Sequence, residues 1–188
     1  MATTALLWAV HGDFLRYMSR IGDGQIAVID GAEQLPDGGF RFPVMGPTDA
    51  PDDSAVGQCA QSSDSTRFRG SVVCTGHHGM LAVTIAAPEL LRQEGATVLV
   101  IDDPFSPGER MPMAHLRPSR QDPRQFATRL SEEGADLFQG VYATGMVLAP
   151  VHLEQDHDRA AHEPAEPAPS AATRTPTDCT IASMEDSP

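Results

Sequence analysis

Tyrosine is scarce in this chain, with two among 188 residues, and each stands in a patterned stretch. Tyr17 closes Trp8-Ala9-Val10-His11-Gly12-Asp13-Phe14-Leu15-Arg16-Tyr17, and Tyr142 closes Phe138-Gln139-Gly140-Val141-Tyr142. Between them lies a glycine-bracketed histidine pair, Gly76-His77-His78-Gly79. A free phenol has a pKa of about 10 and is a poor anion at neutral pH. Ferric iron, a hard cation, stabilises the phenolate, and a histidine that accepts or shares the phenolic hydrogen eases its loss. Tyrosine, histidine and glycine in this order point to a buried phenolate site ahead of a hydrolase triad or a zinc centre. A blander reading stays open at each position. Taken by itself, Tyr17 reads as a core tyrosine with its hydroxyl at the rim, the usual case, and the histidine link as an ordinary turn with surface side chains. Glycines at 76 and 79 allow a positive φ or the close approach of another group to the backbone.

Other chemistries find less support. His152, His157 and His162 recur every five residues among acids and could hold a divalent ion, but that step fits no helix face. Serine, histidine and aspartate are present without a Gly-x-Ser-x-Gly elbow. Neither glycine-rich phosphate cradle occurs, lysine is absent altogether, and no separate acid–base set is visible, so the chain reads as a non-enzyme. Cys59, Cys74 and Cys179 are odd in number and irregular in spacing, which is no disulfide framework. A formal charge of −13 leaves no excess cation to neutralise phosphates, which argues against nucleic acid and disfavours anionic membrane surfaces. The opening Met1-Ala2-Thr3-Thr4-Ala5-Leu6-Leu7-Trp8 lacks the marks of a secretory leader, and no apolar run is long enough to span a bilayer. A cytoplasmic location is the resulting expectation.

The elements that must position these residues read mainly as β. Leu7, Val10, Phe14, Tyr17 and Ile21 follow steps of three and four, which predicts an amphipathic helix over 6–20 with Tyr17 on its apolar face. Short strands are predicted at 26–29 and 40–44, separated by the turn Pro36-Asp37-Gly38-Gly39. Residues 46–66 read as a long exposed loop. Phe68, Gly70, Val72 and Cys74 alternate with polar or smaller neighbours, as do Leu81, Val83 and Ile85. The two runs predict a β-hairpin with Gly76-His77-His78-Gly79 at its tip. A further strand is expected at 96–102. Prolines 104, 107, 112, 118 and 123 allow at best one short strand, near Met113–Leu116. A brief helical turn is expected over 126–134, and the last structured piece over 138–153. Beyond it the chain is poor in apolar residues and predicts a disordered acidic tail over 154–188, leaving one domain over 1–153.

Three blocks, in order, resemble the HtaA domain, a haem-binding module of bacterial haem-uptake proteins. They are Trp8-Ala9-Val10 with Phe14-Leu15-Arg16-Tyr17; Phe68-Arg69-Gly70-Ser71-Val72 with Gly76-His77-His78-Gly79-Met80-Leu81 and Ala87-Pro88; and Leu130 to Phe138 with Gly140-Val141-Tyr142, Gly145 and Leu148-Ala149-Pro150. The resemblance implies an antiparallel, β-sandwich-like domain that holds ferric haem on one face. By position, Tyr17 would be the axial iron ligand, His77 its hydrogen-bond partner, and Tyr142 a wall of the pocket. It also implies a haem donor or acceptor as protein partner, and relatives that act at the cell surface. The chain departs from the family pattern twice. Asp13 replaces a serine placed near a haem propionate, and Val141 replaces an aromatic before the second tyrosine. Both departures imply weaker or differently oriented haem. They also define an alternative, an HtaA-like sandwich that has lost haem and serves as a protein-interaction module.

Overall fold

Short runs of alternating burial make this domain almost entirely from strands. A computed structural model describes residues 2–46, 65–93 and 95–156. The elements are β1 (Thr3–Trp8), α1 (Gly12–Met18), β2 (Gln25–Ile29), β3 (Glu33–Gln34), β4 (Phe40–Pro43), β5 (Ser65–Arg67) and β6 (Ser71–Gly76). A single 3-10 turn at His77–Gly79 leads into β7 (Leu81–Ala86), β8 (Glu89–Gln93), β9 (Ala96–Asp102), β10 (Arg110–Pro118), β11 (Gln125–Leu130), α2 (Glu132–Leu137) and β12 (Val147–Gln155). Most of the expected loop over 46–66, and the expected tail from 157 onward, lie outside the described residues.

The strands form two antiparallel sheets. One has the order β3-β4-β1-β12-β11-β10-β9-β8-β5, and the other β2-β6-β7. Both feed one core. Leu6, Trp8, Phe40, Phe42, Leu99 and Ile101 of the large sheet belong to the same buried cluster as Val72, Cys74, Val83 and Ile85 of the small one. Each such side chain contributes roughly 1.5–3 kcal/mol on burial. Trp8 also satisfies its one polar atom there, with Nε1 donating to the Ala149 carbonyl at 2.9 Å. The mainly β, sandwich-like reading of the sequence holds, and so does the β6–β7 hairpin, paired from Ser71↔Ala86 to Gly76↔Leu81.

Four local expectations need correction. The helix over 6–20 begins only at Gly12, because Thr3–Trp8 is a strand. That strand pairs with β4 on one side and β12 on the other, and ladder bonds on both edges outweigh the helix preference of alanine and leucine. Gly12 is therefore the first helical residue and not an interior one. Residues 125–130 are a strand with Phe126, Thr128 and Leu130 buried, and the helix starts beyond them. Ser131 caps that helix by accepting the Gly134 N–H at 2.9 Å. Gly134 does not end it; a Cβ there would press on the Met113 carbonyl and lie 2.8 Å from Leu130 Cδ1, so glycine lets α2 pack against β10. The proline-rich stretch holds a strand of nine residues because Pro112 sits at a register shift and Pro118 is the last residue. Strand β8, with Leu90 buried, was not foreseen at all.

Candidate ligand site

Tyr17 is the second-last residue of a short helix whose Phe14 and Met18 are buried. It is 43% exposed, so the phenol lies at a lip and not in the core, against the expectation of a buried phenolate. His77 reaches it from the β6–β7 tip. His77, His78 and Gly79 all adopt left-handed backbone, with φ of 51°, 56° and 87°. The two bracketing glycines serve different needs. Gly79 supplies the positive φ, whereas Gly76 is extended, and the space of its missing Cβ is taken by Ile21 Cδ1. The outcome is a hydrogen bond between the Tyr17 hydroxyl and His77 Nε2. In the neutral pair the phenol O–H donates to an unprotonated Nε2; once the phenol is ionised, an Nε2–H donates to the phenolate.

Beside this pair opens a cavity of about 620 Å³, lined by Phe14, Tyr17, His77, Met80, Leu81, Phe138, Gln139, Val141 and Tyr142. Its size falls within the range of small-molecule and cofactor pockets. One wall is a run of ring contacts. Phe14 meets Phe138 edge-on at 5.1 Å, Phe138 meets Tyr142 edge-on at 5.2 Å, and Tyr142 lies tilted against His11 at 4.9 Å. Rings locked edge to face in this way give a stiff apolar wall. Across the cavity, Gln139 Nε2 donates to the Met80 carbonyl at 3.1 Å and ties the loop after α2 to the hairpin tip.

The fold thus brings Tyr17, His77, Val141 and Tyr142 to one cavity, while Asp13 stands beside it on α1 without lining it. The Asp13 carboxylate is paired with Arg16 Nη1 at 2.7 Å, both side chains being more than half exposed. Val141 is 75% exposed and leaves that part of the rim open. Burial first, then the charge of Asp13 and the Tyr17 ring, push the Tyr142 phenol above its ordinary value. Tyr142 consequently stays protonated at neutral pH and acts as a wall. Phe14, Phe138, Met80, Leu81 and Gln139 had no assigned role in the sequence reading. The step of three from Phe14 to Tyr17, and of four from Phe138 to Tyr142, were the available signals. His11 was missed too, and its buried Nδ1 has no partner among the described residues. Among those residues no cluster of three His, Cys, Asp or Glu could hold a metal ion, and His157 and His162 lie outside them.

The profile of the HtaA family (Htaa) matches residues 3–154. The chain belongs to this family. Solved structures of HtaA domains share the fold. The N-terminal domain of HtaA from Corynebacterium glutamicum is 23% identical with a TM-score of 0.60, over 81% of this chain and 96% of that one. The C-terminal domain of the same protein is 23% identical with a TM-score of 0.59, over 80% and 95%. The heme binding protein HtaB of that organism is 20% identical with a TM-score of 0.58, over 80% and 91%. No curated protein matches. Among the described residues of this HtaA-family chain, no helix is long and apolar enough to cross a membrane.

Proposed function

We propose that this HtaA-family domain binds ferric haem in the 620 Å³ cavity, with the Tyr17 oxygen as axial ligand, His77 as its hydrogen-bond partner and Tyr142 in the wall. The observation that carries the reading is the Tyr17–His77 pair at the mouth of an aromatic-walled cavity. The residues fit the group: a stiff, largely apolar and aromatic lining suits a porphyrin, and a phenol beside an imidazole is a ready source of an anionic oxygen. Bound there, haem would supply a ferric centre that an anionic oxygen ligand favours over the ferrous state. The chain's part is to orient and tune that oxygen. His77 Nε2 takes up the phenolic proton on ligation, or donates to the phenolate thereafter. Phe14 and Phe138 exclude water from one side. Pairing with Arg16 partly offsets the charge of Asp13, which still raises the Tyr142 phenol, so this departure from the family pattern places a partly compensated carboxylate beside the cavity. Transport, acquisition or buffering of haem is the role that such a non-covalent site serves.

Titration of the purified chain with hemin tests the reading. Saturable uptake at micromolar levels, a high-spin tyrosinate spectrum, and loss of both in Tyr17→Ala are the expected results. An unchanged titration in Tyr17→Ala would remove Tyr17 as ligand. A wild type without saturable uptake would favour the interaction-module alternative.

A further inference from the structure

The last turn of α1 together with its link to β2 grips the hairpin tip at three points. At its start, Tyr17 bonds to His77. In the middle, Ile21 Cδ1 fills the space left open at Gly76. At its end, Asp23 Oδ2 accepts the His78 backbone N–H at 2.6 Å and lies 3.8 Å from His78 Nδ1. The link is itself tightly folded: Arg20 and Ile21 N–H groups both donate to the Tyr17 carbonyl, and Gly24 N–H donates to the Ile21 carbonyl at 3.2 Å. Tyr17 and Asp23 are therefore held in fixed relation, and both reach the same turn.

That turn needs support. His77 and His78 are consecutive residues with side chains in left-handed backbone, which is unfavourable for each and persists only where surroundings over-determine it. Successive backbone N–H groups in such a turn form a concavity that suits an anion. Here the chain supplies the anion. The His78 N–H foremost, with a smaller part from His77, holds the Asp23 carboxyl below its ordinary value against an opposing push from burial.

We propose that Asp23 is a positioning residue whose carboxylate, seated on the backbone of the His77–His78 turn, fixes the left-handed conformation that aims His77 Nε2 at the Tyr17 hydroxyl. Its consequence for ligand retention rests on the haem reading above, while its effect on the turn does not. Asp23 is not itself among the residues that line the cavity; it acts through the backbone of the His77–His78 turn.

The test uses the full chain in two states. Without ligand, amide hydrogen exchange at residues 77–80 is expected to quicken about tenfold in Asp23→Ala and less in Asp23→Asn, whose side-chain oxygen still accepts, with the β9–β10 amides unchanged. Loaded with hemin, Asp23→Ala is expected to lose it to a haem-scavenging apoprotein roughly five- to tenfold faster. The same change in a His77→Ala background should add less than about twofold. His78→Gly, which takes up the left-handed conformation without penalty, should restore much of the loss. Unchanged exchange at the tip would overturn the proposal, as would an equal acceleration with and without His77. If the wild type takes up no hemin, the haem reading fails and the exchange measurement still decides the role of Asp23.

Discussion

Replacing His77 with alanine removes the partner of the Tyr17 hydroxyl and spares the wall made by Phe14, Phe138 and Tyr142. Alanine is the appropriate change. Position 77 has a φ of 51°, so glycine would relax the turn as well as delete the imidazole, whereas alanine keeps the backbone constraint. A hydrogen bond to an ionised acceptor contributes about 1.5–3 kcal/mol. With Tyr17 43% exposed, water competes for the oxygen, and the lower part of that range applies. About 1.5–2 kcal/mol corresponds to roughly 10- to 30-fold weaker hemin binding. Folding should change little, because the pair is at the surface and its loss leaves no buried polar atom unpaired. Equilibrium titration and the rate of hemin transfer to a scavenging apoprotein measure the effect, with Tyr17→Phe as comparator. The comparator deletes the oxygen itself and should lose more than His77→Ala. A His77→Ala protein that binds and releases hemin like the wild type would refute the assignment of His77. Equal losses in the two variants would refute the division between ligand and supporting partner.

Two further expectations concern the frame that holds the site. Phe138 is 2% exposed and makes edge contacts with Phe14 and Tyr142, so Phe138→Ala should cost about 3–5 kcal/mol of stability in urea unfolding. A loss below about 1 kcal/mol would mean that the aromatic wall packs loosely. Cys74 is buried in the core, and burial pushes its thiol from 9.0 up to about 11. The folded state keeps a proton that the unfolded chain releases above its own pKa of about 9, so this contribution is complete below that pH and declines as pH rises through about 11. The full decline is about 2–3 kcal/mol. Unfolding midpoints across that window, with Cys74→Val as reference, should show the slope in the wild type only; parallel profiles would exclude the thiol as its source.

Local pattern revealed more about strands than about helices. The β6–β7 hairpin was legible because each strand has one face in the core, which writes burial into every second residue. The first strand was hidden for the opposite reason. Ala5, Leu6 and Trp8 are all buried and run into a helix with its own apolar face, so a single step of three and four spans two elements. Strand β10 was concealed by its prolines, whose cost disappears only at the bulge and strand end where they stand. Ser131-Glu132-Glu133 did carry a helix-start signal, a capping serine followed by acids, that the expectation of an earlier turn overrode.

For the site, residue type and order alone supplied the chemistry: two tyrosines, a histidine on a glycine-bracketed turn, and the blocks that resemble HtaA. These are local properties, and the sequence carries them directly. Which tyrosine faces the histidine, and what each can do, depends on contacts between segments far apart in the chain. The Tyr17–His77 bond joins residues 60 apart, and its geometry depends on a left-handed turn gripped from the α1–β2 link. Tyr142 is brought into the cavity wall by its ring contact with His11, far away in the chain, which is not written in its own neighbourhood. Long-range packing selects among the conformations that local sequence permits, and it was packing that placed Tyr17 at a lip instead of in the core.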